Sequence, residues 1–278
     1  METSNQCPFD PVEVCNGKET ARFIVMRSTC MTAQKLTRVK EEKRWFTSHG
    51  ILPSALLSLQ EMAHHIYRFL YREVMVPKPW VQNQIEQFKS SIGLEGKQVI
   101  GIHIRTGGVS KEGIRWGRFL NERDVNLFYK YAVALTSELE AGKPIGQKKS
   151  LRPEMEGNVP AKRSVVWYVL SDQDSVKAQF AKKYPQYVVS TSCDMTHTNR
   201  GREVKADPGF TCALVENYLL SMSDVMILTT RSTYGYLARH RTNTPYVTVD
   251  IGDYAKWAKR SAAEKKKVPL EVWDVLDI

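Results

Sequence analysis

Strand-length apolar runs alternate with helix-patterned stretches from residue 97 to residue 250, and that alternation restricts the chain to a parallel sheet covered by helices. The runs lie at 98–104, 164–170, 187–190, 224–229 and 246–249, with helical patterns at about 122–140, 176–184, 210–223 and 232–241 between them. The run 164–170 is apolar at nearly every position, as expected of a strand buried on both faces. In an open sheet of this kind, ligands bind outside the carboxyl ends of the strands. Polar residues just beyond the strands therefore converge on one edge: His103 and Arg105, then Ser171 and Asp172, then the turn 230–235.

Two of these tips suit an anion. The first, Gly-Ile-His-Ile-Arg-Thr-Gly-Gly at 101–108, ends a strand on a basic residue and a glycine pair. Arginine is planar and permanently charged, so it can hold a phosphate through two parallel hydrogen bonds. Gly107 and Gly108 allow a sharp turn and the close approach of a ligand. The second tip, 229–236, is a strand-to-helix turn rich in hydroxyls. Its helix start presents unpaired N–H groups, and Ser232 and Thr233 are suited to cap it or to donate to phosphate oxygens. Neither GxxxxGK[ST] nor GxGxxG occurs, so phosphates would be held by arginine and hydroxyls and not by a glycine-rich cradle.

The first 91 residues read as a separate, mostly helical region, and 92–278 as the sheet domain. Residues 1–20 read as irregular and 21–26 as a short strand. A helix is expected over 52–76, stopped by Pro77 and Pro79, and another over 80–90 with Val81, Ile85 and Phe88 on one face. The stretches 107–121 and 142–162 read as loops.

Composition narrows the partners only a little. The 278-residue chain has 42% hydrophobic and 25% charged residues, which is ordinary for a globular protein. Its net charge of +10 favours acidic partners, among them phosphorylated ligands and nucleic acid. The lysines and arginines are scattered, however, and the densest sets, at 35–40, 148–149 and 265–267, lack interleaved aromatics. No nucleic-acid partner is expected on that basis. The five cysteines have no Cys-x-x-Cys spacing, so no zinc site is expected, and their pairing stays open. No run is long and apolar enough for a membrane span, and residues 1–11 lack the apolar stretch of a signal peptide.

The tips and their flanks resemble a known family. The strand IGIHIRTGG (100–108) resembles the first motif of the arginine-dependent fucosyltransferases, in which a strand ends in His/Gln-x-Arg. The block ALVENYLLSMSDVMILTTRSTYGYLA (213–238) resembles the plant xyloglucan α1,2-fucosyltransferase family. Members of that family carry an Ala-x-x-Glu helix, a Leu-Leu-Ser-x-x-Asp step and a Ser-Thr-Phe-Gly-Tyr helix start. Residues 168–185 resemble a block shared more loosely with core α1,6- and protein O-fucosyltransferases, and 67–88 resemble the segment before the first motif.

The resemblance implies a GT-B-like α/β fold, with the donor on the C-terminal Rossmann-like domain and a smaller N-terminal acceptor-side region, either abbreviated or truncated. It implies GDP-fucose as donor, a glycan or glycoconjugate acceptor, an inverting reaction without metal or other cofactor, and the Golgi lumen as compartment. Arg105 would hold the donor phosphates. Gly107, Ser232, Thr233 and the amides of Tyr234 and Gly235 would line the same site, with Asp172 near the nucleotide. Thr106 departs from the pattern, since several relatives carry a second arginine there. The general base is open between Glu112, in the loop after Arg105, and His103, with His197 and Glu216 as weaker candidates. A catalytically inert homologue that binds a GDP-sugar or glycan is the alternative, and a basic nucleic-acid-binding protein a more distant one.

Overall fold

Pro77 and Pro79 restrict the residues before them to extended backbone, and the chain there is a strand. The computed structural model describes residues 9–11, 67–69, 71, 75–107, 119–143, 145, 163–191 and 208–270. Strand β1 (Phe9–Pro11) pairs antiparallel with β2 (Met75–Pro77). Both segments correct the sequence reading, which treats 1–20 as irregular and carries a helix through residue 76. A long-range pair of three-residue strands leaves no periodic signal, and the proline that ends β2 also mimics a helix stop. The strand expected at 21–26 and most of the helix expected over 52–76 lie outside the described residues.

The chain divides into two units. One comprises residues 1–83, 240–243 and 274–278, the other 84–239 and 244–273. In the first, besides the β1–β2 pair, the Tyr67 ring stacks on His240 with centroids 5.0 Å apart, and Arg68 donates to Asn243 Oδ1. Helix α1 (Pro79–Ser91) begins with proline at its first position, where a missing N–H costs nothing, and closes at Gly93, whose φ of 67° suits the left-handed cap.

The second unit is built on five strands: β3 (Gln98–Ile104), β4 (Val165–Ser171), β5 (Val188–Val189), β6 (Val225–Thr229) and β7 (Tyr246–Val249). They form one sheet in the order β5-β4-β3-β6-β7, and every neighbouring pair is parallel. The architecture is α/β, as the alternation requires. The connecting helices are α2 (Glu122–Glu140), α3 (Asp174–Lys183), α4 (Pro208–Ser221) and α5 (Thr233–His240). Two short helices follow, α6 (Asp253–Ala258) and α7 (Ala262–Lys265), which the sequence reading did not anticipate because they are too short for a periodic pattern.

Strand periodicity divides the core between the two faces. Ile100, Ile102, Ile104, Trp167, Val169, Ile227 and Val249 share one cluster with Leu127, Phe128 and Leu135 of α2 and Phe180 of α3. Fully burying each such side chain contributes about 1.5–3 kcal/mol. On the opposite face α4 comes so close to β3 that a Cβ on Gly101 would lie 2.7 Å from Leu220 Cδ1 and collide with the Ser223 hydroxyl. Glycine at 101 is therefore a packing requirement. It lets α4 lie flat across the centre of the sheet.

The strand order fixes where a ligand can enter. The chain proceeds outward from β3 through β4 to β5, then returns to the other side of β3 for β6 and β7. The connections leave β3 and β6 in opposite directions, which opens a crevice at their carboxyl ends. Arg105 lies at one lip of this crevice and the turn 230–235 at the other.

Candidate active site

The carboxyl end of β3 is tied to both neighbours through short side chains. The Arg105 N–H donates to Thr229 Oγ1 at 2.8 Å, and that hydroxyl donates to the His103 carbonyl at 3.1 Å. Thr229, the last residue of β6, thus joins the two lips of the crevice. On the other side the Thr106 N–H and hydroxyl both donate to Asp172 Oδ1, at 2.9 and 3.0 Å, and the Gly107 N–H donates to Oδ2 at 2.9 Å. Gly107 adopts a φ of 92°, a left-handed conformation that glycine takes without strain, and this turns its amide onto the carboxylate. Arg105 Nε lies 3.6 Å from the same Oδ2, and its guanidinium carbon is 5.7 Å from the centre of the Phe119 ring.

Across the crevice, Arg231 enters the turn before α5 with φ 64°, the only non-glycine residue with positive φ among the described residues. Such backbone costs a non-glycine residue energy and persists where surrounding contacts impose it. Here the Arg231 N–H donates to the Tyr236 hydroxyl at 3.2 Å and the guanidinium lies 3.5 Å from Asp250 Oδ2. The turn delivers Ser232, buried, and Thr233, exposed, to the start of α5. Tyr234 is fixed from two sides: its hydroxyl donates to the Ala213 carbonyl at 2.8 Å, and its own carbonyl accepts from Asn217 Nδ2 at 2.8 Å. The Tyr234 ring stacks on His103 at 5.1 Å. A Cβ at Gly235 would stand 3.2 Å from His103 Nδ1, so glycine there admits the imidazole beneath the helix start.

The structure thus gathers His103, Arg105, Gly107 and Asp172 with the Tyr234–Gly235 helix start around one crevice. The roles expected for them differ in how well the surroundings suit them. His103 is buried beneath Tyr234, its Nδ1 has no hydrogen-bond partner among the described residues, and its pKa is lowered from 6.5 to about 4. Burial is the main cause; the Asp172 charge opposes the shift and Arg105 reinforces it. A general base works best with a pKa near the working pH, so this imidazole is a weak proton acceptor. The Asp172 carboxylate is buried and turned onto the β3 tip. Glu216 accepts from the Thr191 hydroxyl, and burial is the main cause of its raised pKa. Arg231 pairs with Asp250. Glu112 and His197 lie outside the described residues.

Three contacts escaped the sequence reading. Thr229 belongs to the hydroxyl-rich tip 229–236, but nothing in the sequence marks its hydroxyl as the link between β3 and β6. Phe119 falls in a segment read only as a loop. The Thr106 hydroxyl registers in the sequence as a missing arginine, whereas its bond to Asp172 depends on a residue 66 positions away. A cap-rich turn after a strand was the signal that did locate the α5 start.

Among the described residues, no group of three or more His, Cys, Asp or Glu side chains is placed to hold a metal ion. No helix among them is long and apolar enough to cross a membrane. Cys212, on α4, is disulfide-bonded.

No protein-family model matches the chain, and no curated protein matches it. Among solved structures, fucosyltransferase NodZ from Bradyrhizobium is similar over 68% of this chain and 49% of its own, at 15% identity and a TM-score of 0.39. A mutant of Arabidopsis thaliana FUT1 in complex with GDP is similar over 66% of this chain and 36% of its own, at 18% identity and a TM-score of 0.41. POFUT1 in complex with GDP is similar over 75% and 58%, at 9% identity and a TM-score of 0.37. The chain spans between 36% and 58% of the length of these structures.

Proposed function

We propose that the crevice between β3 and β6 is a diphosphate site and that the chain is a glycosyltransferase that takes fucose from GDP-fucose to a glycan acceptor. The observation that carries this reading is the placement of Arg105 at the switch point of a parallel sheet, joined through Thr229 to the strand that leads into the α5 N-terminus. The family resemblance of 100–108 and 213–238 supplies the choice of nucleotide and sugar.

The chemistry suits these groups. In an inverting transfer the bond from the sugar C1 to the phosphate oxygen breaks while C1 bonds to the acceptor oxygen, and the acceptor proton passes to a base. The sugar becomes cationic, and negative charge accumulates on the departing diphosphate. Fixed donors aimed at that charge lower the barrier. Arg105 supplies a guanidinium, and the first amides of α5 supply the partial positive charge of a helix end. On this reading Gly107 lets the phosphates approach the strand tip, Ser232 and Thr233 flank them, and neither metal nor other cofactor takes part. Of the two expected bases, Glu112 is the one we assign, because His103 is weakly basic and covered by Tyr234. The disulfide at Cys212 fits an oxidising compartment such as the Golgi lumen.

Calorimetry without added metal, using GDP, GDP-fucose, GDP-mannose and UDP-sugars, tests the reading. Saturable binding of GDP and GDP-fucose, and a marked weakening of both in Arg105→Ala, is the expected result. Binding of UDP-sugars in preference to GDP would contradict it. A second reading, an inert GDP-sugar-binding homologue, is favoured by one observation: Thr106, which replaces a second cation, has its N–H and hydroxyl committed to Asp172. Binding of GDP-fucose with neither hydrolysis nor transfer would favour that alternative.

A further inference from the structure

The family resemblance places Asp172 among the residues near the nucleotide, yet its contacts run elsewhere. A carboxylate offers about four acceptor positions. Three are taken by the Thr106 N–H, the Thr106 hydroxyl and the Gly107 N–H, and the fourth faces Arg105 Nε at 3.6 Å. The side chain is only 4% exposed. Among the described residues, every donor to Asp172 belongs to one three-residue turn, Arg105 to Gly107, which follows directly on β3.

We propose that Asp172 is a positioning residue, which acts on the donor only through Arg105 and touches neither sugar nor nucleotide. This rests on the reading of Arg105 as the diphosphate-holding residue. The carboxylate draws both amides of the turn toward the β4 tip and sets the arginine side chain between itself and the Phe119 ring. The Arg105 N–H is held at the same time by Thr229 from the β6 side. Arg105 is thereby held at its backbone from β6 and at its side chain from β4 before any ligand arrives, and the ordering cost of binding falls accordingly. Thr106 takes on a meaning in this arrangement. Where relatives carry a second cation, this chain carries a hydroxyl that strengthens the hold on the single one.

The test combines a binding cycle with local hydrogen exchange on the full chain. Asp172→Asn keeps one acceptor oxygen but turns an amide NH2 toward donors, and Thr106→Val removes only the hydroxyl contact. The GDP Kd is expected to rise about tenfold in Asp172→Asn and about twofold to threefold in Thr106→Val. The double variant Arg105→Ala/Asp172→Asn should bind GDP no more weakly than Arg105→Ala alone. Losses that add would mean that Asp172 contacts the nucleotide itself, and would overturn the proposal. An unchanged Kd in Asp172→Asn would also overturn it.

Exchange of the 105–107 amides should quicken in both variants while peptides from α2 and β7 stay as in the wild type. Unchanged exchange at 105–107 overturns the proposal whatever the binding result. If Asp172→Asn fails to fold, Thr106→Val and its cycle with Arg105→Ala carry the same comparison. Failure of the wild type to bind GDP would defeat the donor reading instead, and exchange at 105–107 would still decide whether Asp172 holds the turn.

Discussion

The two ends of the sheet each carry an arginine–aspartate pair, and the pairs differ in almost everything but distance. At the carboxyl end Arg105 Nε stands 3.6 Å from Asp172, with side chains 26% and 4% exposed. At the amino end Arg163 Nη2 stands 3.5 Å from Asp224, with side chains 46% and 35% exposed. Asp224 accepts the Val99 N–H at 2.7 Å while its own N–H donates to the Val99 carbonyl at 2.9 Å. It therefore fixes where β6 begins beside β3, and Arg163 merely lies over it in solvent. Asp172 fixes no strand. It holds a turn whose first residue is the arginine. An ion pair is informative through what else its carboxylate holds, and the same separation serves register at one end and presentation of a cation at the other.

The amino end also has a cavity of about 240 Å³ lined by Lys89, Lys97, Arg163, Asp224, Leu219 and Met222. Its three cations make it the natural competitor for an anionic ligand. Arg105→Ala should produce the largest effect, a fall in GDP affinity of roughly 10- to 150-fold. That corresponds to the loss of about 1.5–3 kcal/mol from a charge-assisted contact. Arg105→Lys should recover only part of it, because an ammonium cannot make the two-pronged contact. Titration calorimetry measures both.

The next effect is on stability and its pH dependence. His103 has a folded-state pKa of about 4 against its ordinary 6.5. Between those values the unfolded chain binds a proton that the folded chain does not. Stability is therefore complete above pH ~6.5 and falls by about 3 kcal/mol as the pH drops to ~4. Glu216 has the opposite sign: its raised pKa favours the folded chain when the carboxyl is protonated, and that share is lost as pH rises. Urea unfolding of the wild type and His103→Gln across this range isolates the histidine, whose removal should flatten the slope.

Gly101→Ala should cost about 2 kcal/mol by forcing Leu220 and Ser223 away from β3, which thermal unfolding will show. The substitution disturbs the centre of the sheet and neither end. GDP affinity per folded molecule should then be retained. The smallest effect is expected from Arg163→Ala. Exposed pairs contribute ~0–1 kcal/mol, and GDP binding should not change at all. A loss of GDP affinity in Arg163→Ala matching that in Arg105→Ala would reverse the assignment of the two ends.

Much of the sheet domain was legible because its signal is local. The run 164–170 is apolar at nearly every position since it becomes a strand buried on both faces, and β7 falls at 246–249 as expected. Arg105 was legible for a related reason: a charge directly after an apolar strand must lie at an edge. What escaped depends on pairing at a distance. The partner of Phe9–Pro11 lies more than sixty residues on, at Met75–Pro77, and nothing in either segment announces the other. Asp172 looks like a ligand contact in sequence because it follows a strand. Only its three bonds to Thr106 and Gly107 reveal that its oxygens are already engaged. Residue identity located the crevice, and burial and bonding separated the groups that face it from those that support it.

The decisive measurement is a structure of the protein with GDP. The diphosphate is expected at the carboxyl ends of β3 and β6, with its oxygens within hydrogen-bond distance of the Arg105 guanidinium and the first amides of α5, and Asp172 still bound to Thr106 and Gly107. GDP seated in the amino-end cavity against Lys89, Lys97 and Arg163, with Arg105 untouched, would contradict that placement.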